Sequence, residues 1–387
     1  MRDRVDTVFA DARIQQAFRF ISANESQIEA DQIRLTEIPA PPFAETERSQ
    51  AFSEELLKLR LSPFTDGIGN VIAGYEGMGR DPVIAGAHLD TVFPASTPLQ
   101  LRRKGRVLFL PGISDNGCGI VALLWAFRAA KETGIQFRRP VIAVGNVGEE
   151  GEGNLRGIRY LFNQPPWENR KCDFVAVDGG GLQRITHQAL GSRRFRIHMT
   201  GPGGHSWADF GRPNPVEAIA AAIHIFCSSA GRSSGTSFNF GVIRGGISVN
   251  AIPREAAMEV DLRSIASAPL DHLDSQLKRA VVEAARASRV ECRVELMGER
   301  PSGTTATASP IVQAALEVTR RFRVEPQPDV GSTDANIPIS MGIPALAIGG
   351  GGSSGNVHTP EEWLDPSHRD LGVQRLLALI AVLAGLK

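Results

Sequence analysis

Five residues of this 387-residue chain that can bind metal, His88, Asp115, Glu150, Asp178 and His358, each lie just beyond a short apolar run, and no other feature constrains the fold as much. The first run, Val83 to Ala87 in VIAGAHLDTV, is short and β-branched at its start; it reads as a buried strand with His88 and Asp90 at its carboxyl end. In PGISDNGCGIVALLWAF a Gly-rich turn leads to Asp115, and Ile120, Leu123, Leu124 and Phe127 then recur at helical spacing, which puts Asp115 at a helix start. Val141 to Val147 reads as a strand interrupted by Gly145 that delivers Glu149 and Glu150 side by side into a Gly-rich loop. Phe174 to Val177 runs into Asp178, and Ile343 to Ile348 runs into a flexible loop that carries His358.

Each signal alone has an ordinary reading. His88 and Asp90 can be a polar turn, Asp115 a helix cap, and Glu149 with Glu150 a solvated acidic pair. Their joint order is harder to dismiss, because ligands in open α/β sheets gather at the carboxyl ends of the strands. Neutral imidazole is the commonest protein ligand for zinc, and a carboxylate on its second ring nitrogen fixes the tautomer, a supporting role that Asp90 fits. Adjacent glutamates at a strand end point in different directions, so one can bind metal while the other faces a water molecule. The run Gly349 to Gly355 has no Lys-Ser/Thr after it and no clear helix start, which argues against a phosphate-binding loop.

A chain of this length exceeds the usual single core, so two domains are expected. Strand and helix patterns alternate up to about Thr186, as in an α/β domain whose mostly parallel sheet is flanked by helices. The character then changes: RRFRIHMTGPGGHS alternates, NPVEAIAAAIHIFCSSA is helical, TSFNFGVIRGG and AAMEVDLRS alternate again, and LDSQLKRAVVEAARAS returns to helix. This pattern predicts an inserted α+β domain over 191–299 and a catalytic di-metal domain made of 1–190 and 300–387, since His358 lies beyond the insertion.

The series GAHLDTV, GISDNGCG, GEEGEG, DGGG, GPGGHS, GGISVNAIP, DLRS and SGNVHTPEEW resembles the co-catalytic zinc peptidase and aminoacylase family, which includes peptidase T, bacterial glutamate carboxypeptidase, carnosinase, aminoacylase and succinyl-diaminopimelate desuccinylase. The resemblance implies that Asp115 bridges two metals, that His88 and Asp178 complete one site, that Glu150 and His358 complete the other, and that Glu149 is the general base. It also implies a zinc domain split by a smaller lid that often mediates dimerisation. His205 would then stabilise the oxyanion, in many members from the partner subunit, and Asn250 and Arg263 would bind the substrate backbone or carboxylate. On the residues alone, His205 is a loop histidine, Asn250 a turn residue and Arg263 a salt-bridged strand residue. The remaining histidines, His187, His198, His224, His272 and His368, are expected to be structural or exposed.

Two metals about 3.5–4 Å apart share a water, lower its pKa toward neutrality and polarise the scissile carbonyl. A carboxylate within reach of that water can take its proton and later protonate the departing amine, which is the task expected of Glu149. Mixed His and carboxylate ligands suit zinc, with cobalt or manganese able to substitute. Within the resembling family, Asp at the position of Asp178 is typical of aminopeptidases and dipeptidases, whereas carboxypeptidases and desuccinylases usually carry Glu. The expectation is therefore a small-peptide aminopeptidase similar to peptidase T, with a carboxypeptidase or N-acyl amino acid deacylase as the alternative. A noncatalytic peptide-binding protein on this fold would be marked by loss of the base or of ligands, and all of them are present.

Composition narrows the partners. The 42 basic and 42 acidic residues cancel and no basic block stands out, which argues against nucleic acid. Cys118, Cys172, Cys227 and Cys292 form no CxxC pair and are expected to be reduced core residues, with Cys118 an apolar filler in a first helical turn. The start MRDRVDTVFADARIQQAF has no continuous apolar segment of the secretory kind, so a cytoplasmic location is expected. LLALIAVLAGL falls short of the roughly 20 residues needed to span a bilayer and reads as a buried final helix, started by Asp365 with Pro366 in its first turn.

Overall fold

A computed structural model of the chain describes residues 1–75, 80–165, 171–231 and 234–387. It divides into two compact units, 1–189 with 304–387, and 190–303. The larger unit is built on a mixed sheet whose main strands are β1 (Val71–Gly74), β2 (Val83–His88), β3 (Val141–Asn146), β4 (Asp173–Val177), β5 (Arg184–Ala189), β6 (Gln327–Gly331) and β7 (Ala345–Ile348). Their order is β1-β3-β2-β4-β7-β5, with β6 beside β5. β2 runs parallel to β3 and β4, and β7 parallel to β4, while β1 and β5 join antiparallel.

The central strands are near-continuous apolar runs because both of their faces are covered. Val83 and Ala85 point into a core with Ile120, Leu123, Leu124, Trp125, Leu376 and Ile380, which come from helices α1 (Gly117–Glu132) and α2 (Arg369–Ala384). Ile84 points the other way, to Ile142, Val144, Phe162 and Phe174. This period-two division is what strand geometry requires. Gly145 does not interrupt β3: it is a strand residue, and the Phe52 ring lies where its side chain would be, 2.7 Å from an added Cβ.

Register sets up the site. His88 pairs with Asn146 and Val177 pairs with Ile348, so β2, β3, β4 and β7 end at one edge of the sheet. The segments leaving that edge carry Asp90, Glu149, Glu150, Asp178 and, further on, His358.

The smaller unit has a four-stranded antiparallel sheet, with strands 236–245, 255–264, 191–200 and 291–300 in that order. Helices Pro215–Ala230 and Ser267–Ala287 pack on it over Ile197, Met199, Phe226, Met258, Leu277 and Val281.

Two further expectations are corrected. The final helix is buried, but it starts at Arg369; Asp365 closes the short strand Trp363–Asp365, and its carboxylate accepts hydrogen bonds from the Ser367 N–H (2.9 Å) and Oγ (2.6 Å). His368, in the left-handed conformation at φ 64°, then turns the chain into the helix. All four cysteines are free, yet only Cys118 and Cys172 are buried; Cys227 and Cys292 are exposed. Among the described residues no helix is long and apolar enough to cross a membrane.

Candidate metal centre

His88 is the last residue of β2 and is fully buried. Its Nε2 lies 3.0 Å from Asp115 Oδ1 and 3.7 Å from Asp178 Oδ1. Its Nδ1 is 3.1 Å from the Asp90 backbone oxygen, so a proton donated there leaves the Nε2 lone pair facing the carboxylates. The Asp90 carboxylate itself stands 3.7 Å from Nδ1, too far for the direct support expected of it. It instead accepts the backbone N–H groups of Glu149 (2.9 Å) and Glu150 (2.8 Å), so Asp90 ties the end of β2 to the acidic loop after β3.

Asp115 precedes α1, but the cap is Asn116, whose Oδ1 accepts from the Gly119 N–H at 3.0 Å and whose Nδ2 donates to Val177 O at 2.9 Å. Asn116 thereby joins the loop of Asp115 to the end of β4, just before Asp178. The approach is close enough that a Cβ on Gly119 would sit 2.1 Å from Val177 O, which accounts for the second glycine in SDNGCG. His358 is half-exposed and held at φ 65°. Its Nε2 lies 3.0 Å from Asp115 Oδ2 and 2.9 Å from Glu150 Oε1.

The sequence-predicted residues of the larger unit therefore come together. Three overlapping groups have ligand atoms within 4.8 Å of one another: His88, Asp115 and Asp178; Asp115, Glu150 and His358; and His88, Glu149 and Glu150. Asp115 offers one oxygen to each histidine. The donors are imidazole and carboxylate only, a set suited to zinc and similar divalent ions. Thiolate plays no part: Cys118 Sγ accepts from Gln32 Nε2 at 3.3 Å, and burial pushes its pKa up to about 12. The buried His88 Nε2 and Asp115 Oδ1 face each other without a proper hydrogen bond, as two ligands aimed at one ion would.

The electrostatics agree with that fit. Burial works to lower the His88 pKa, yet the neighbouring carboxylates of Asp115, Asp178 and Asp90 hold it well above its ordinary value. Hydrogen bonds to Asp115 and Glu150 raise the His358 pKa to about 10. Against the desolvating effect of burial, the same two imidazoles hold Asp115 far below the usual carboxylate range, whereas burial raises Glu150. The clustered carboxylates thus favour positive charge at this place.

Sequence reading missed four contributors. Glu362 is fully buried and its carboxylate accepts N–H groups from Gly112, Ser114 and Asp115. Asp334, also buried, accepts from Asn146 Nδ2 at 2.8 Å, and burial lifts its pKa to about 7. Buried Arg48 donates to the carbonyls of Thr36 and Leu89 (both 2.9 Å) and of Ile38, anchoring the residue between His88 and Asp90. Asn116 is the fourth. Asp334 carried the one usable signal, since it too lies just past a strand, β6.

In the smaller unit His205 and Asn250 are neighbours: Gly204–His205 pairs with Ala251–Ile252, and the Ser206 N–H donates to Asn250 O at 3.0 Å. The exposed His205 ring accepts the N–H groups of Trp207 (3.2 Å) and Ala208 (3.3 Å) at Nδ1, which leaves Nε2 to carry a proton. The Asn250 Oδ1 accepts from Ser248 Oγ at 2.6 Å. Arg263 lies near the other end of strand Glu255–Ser264, its Nε donating to Asp261 at 2.7 Å. His187 is buried with Nδ1 2.7 Å from Thr305 O, a structural contact.

A family model described as Peptidase family M20/M25/M40 matches residues 84–382. The chain is similar to the succinyl-diaminopimelate desuccinylase of Corynebacterium glutamicum, 24% identical over 337 residues, 83% of this chain and 87% of that enzyme. It is also similar to carboxypeptidase G2 of Pseudomonas sp. (strain RS-16), 24% identical over 203 residues, which is 50% of this chain but only 47% of that enzyme's length. Among solved structures, a tripeptidase from Staphylococcus aureus superposes with a TM-score of 0.78 at 20% identity, over 93% of this chain and 99% of that one, and so shares the fold.

Proposed function

The chain belongs to peptidase family M20/M25/M40, and on that premise we propose that it is a di-metal amidohydrolase, most specifically a small-peptide aminopeptidase acting on di- or tripeptides. The observation that carries the reading is the pair of ligand groups sharing Asp115, with His88 and Asp178 on one side and Glu150 and His358 on the other. Two divalent ions, proposed to be zinc with cobalt or manganese as substitutes, would supply an acidified water and polarise the scissile carbonyl. Glu149, the glutamate left outside the two groups that share Asp115, takes the proton from that water and returns it to the departing amine. Asp90 holds the backbone of Glu149 and Glu150 in place for both tasks.

The protonated Nε2 of His205 is suited to donate to the oxyanion, and Asn250 and Arg263 are the proposed contacts for the substrate backbone or carboxylate. We assign catalysis to the larger unit and the roles of lid and dimer contact to the smaller one. The exposed Trp207, Phe210, Ile247 and Val249, which flank His205 and Asn250 in sequence, support a homodimer, since exposed apolar groups in number mark interaction surfaces. The proposed compartment is the cytoplasm.

Aminopeptidase is preferred because Asp178, not Glu, stands beside His88 and Asp115. The 24% identity to a desuccinylase and to carboxypeptidase G2 keeps a deacylase or carboxypeptidase as the second reading. Incubating metal-loaded protein with short peptides blocked at either end, and identifying products by mass, separates them. Cleavage that requires a free amino terminus supports the proposal. Cleavage of amino-blocked substrates with a free carboxylate supports the second reading, and no cleavage of any amide overturns both.

A further inference from the structure

Glu362 is expensive to keep. Its side chain is fully buried, and among the described residues no lysine, arginine or histidine pairs with it. A buried carboxylate without a cation persists only when hydrogen bonds replace its lost hydration. Here they are three backbone N–H groups from a single turn: Gly112 at 3.0 Å, Ser114 at 2.8 Å and Asp115 at 2.9 Å. The backbone of Glu362 makes two more contacts, accepting from the Leu110 N–H at 3.1 Å and donating to Thr359 O at 3.0 Å. The segment of His358 and the loop of Asp115, more than 240 residues apart in sequence, are thus joined by the residue four places after His358.

Packing alone does not need a charge there. A neutral amide of the same size offers one acceptor oxygen, which in the place of Glu362 Oε1 could still take the Ser114 and Asp115 N–H groups, but its NH2 would then face the Gly112 N–H. Only a carboxylate can accept all three, and because burial pushes the Glu362 pKa up to about 7 against their pull, that form prevails above neutral pH, where the test belongs. Since Asp115 is the residue shared by the group of His88 with Asp178 and the group of Glu150 with His358, whatever fixes its backbone acts on both.

Resting on the di-metal reading above, we propose that Glu362 is a positioning residue for both ions: it fixes the Asp115 loop against the His358 segment and so sets the affinity of the two sites together. It touches neither ion nor substrate. Removing support of this kind costs about 10–100-fold in metal affinity.

The test is calorimetric titration of metal-free protein with zinc, run on wild type, Glu362→Gln, Glu362→Asp and Glu150→Gln, with circular dichroism of each to verify folding. Glu362→Gln should weaken both binding events by about 10–100-fold. Glu150→Gln should weaken one event far more than the other. Glu362→Asp keeps the charge on a stem too short to reach all three N–H groups and should fall between wild type and Glu362→Gln; it carries the test if Glu362→Gln does not fold. Folded variants with a lower melting temperature but wild-type binding constants would overturn the proposal and leave Glu362 a packing residue. A wild-type isotherm with fewer than two ions would overturn the di-metal reading first, and this inference with it.

Discussion

Replacing Asp90 by Asn tests the contact on which the acidic loop depends. The wild-type carboxylate is fully buried and takes two charge-assisted bonds, from Glu149 N–H at 2.9 Å and Glu150 N–H at 2.8 Å. An amide keeps one acceptor and turns its NH2 toward the other N–H. The substitution loses one charge-assisted bond, about 1.5–3 kcal/mol, and strands one buried donor, about 1–3 kcal/mol, so a total of about 2.5–6 kcal/mol is expected. Burial already works against the Asp90 charge; His88 and these two N–H groups lower its pKa in spite of it, which shows how much the ionised form is used. The same change displaces the backbone of the proposed base and of a proposed ligand together, so kcat should fall along with an affinity loss of about 10–100-fold. Denaturation of metal-free protein, a zinc isotherm and steady-state kinetics on one cleavable peptide measure the three effects. A variant with reduced stability but wild-type affinity and kcat would refute the positioning argument and leave Asp90 as packing.

Three further outcomes follow from the same geometry. Glu149→Gln should retain both ions while kcat drops about 10²–10⁴-fold, measured by elemental analysis and kinetics on the same sample; full activity would transfer the base to another group. Zinc binding near pH 7.5 should release at least one proton, because the His358 pKa is raised to about 10 and the ring must be neutral to ligate, with a further contribution from His88, whose pKa is also raised; the dependence of calorimetric enthalpy on buffer ionisation heat counts them. Asp334→Asn should raise the melting temperature of metal-free protein most above pH 7, less at pH 5, and little below the unfolded value of 3.8. The Asp334 pKa is raised to about 7 from 3.8, so the stability linked to its proton is present below the unfolded value and lost as pH rises through the folded one. A variant less stable than wild type at pH 8 would contradict that sign.

The residues that gather at the candidate site were legible because strands buried on both faces read as apolar runs, and whatever polar residue ends such a run lies at the sheet edge. That logic found His88, Glu149, Glu150 and Asp178, and the apolar periodicity of α1 found Asp115. It failed where position depends on tertiary contact. Glu362 is one of two adjacent glutamates after His358, and nothing local shows that it turns inward while Glu361 stays in solvent with Arg102. Arg48 lies on helix Thr46–Lys58 and acts on carbonyls 10, 12 and 41 residues away. The start of the last helix was misplaced for a local reason: Asp365 and Pro366 resemble a helix entry, but β-pairing of Trp363 and Leu364 with the strand Val107–Phe109 took precedence. The exposure of Cys227 and Cys292 has the same kind of cause, since residue type alone does not tell which side of a helix or strand faces the core.

The most direct test of the di-metal account is the metal content of saturated, dialysed protein, wild type beside Asp115→Ala. Two ions per chain in the wild type, with both lost or greatly weakened in Asp115→Ala, is the predicted result, because Asp115 alone belongs to both the group of His88 with Asp178 and the group of Glu150 with His358. One ion per wild-type chain, or two ions that survive the loss of Asp115, would contradict it.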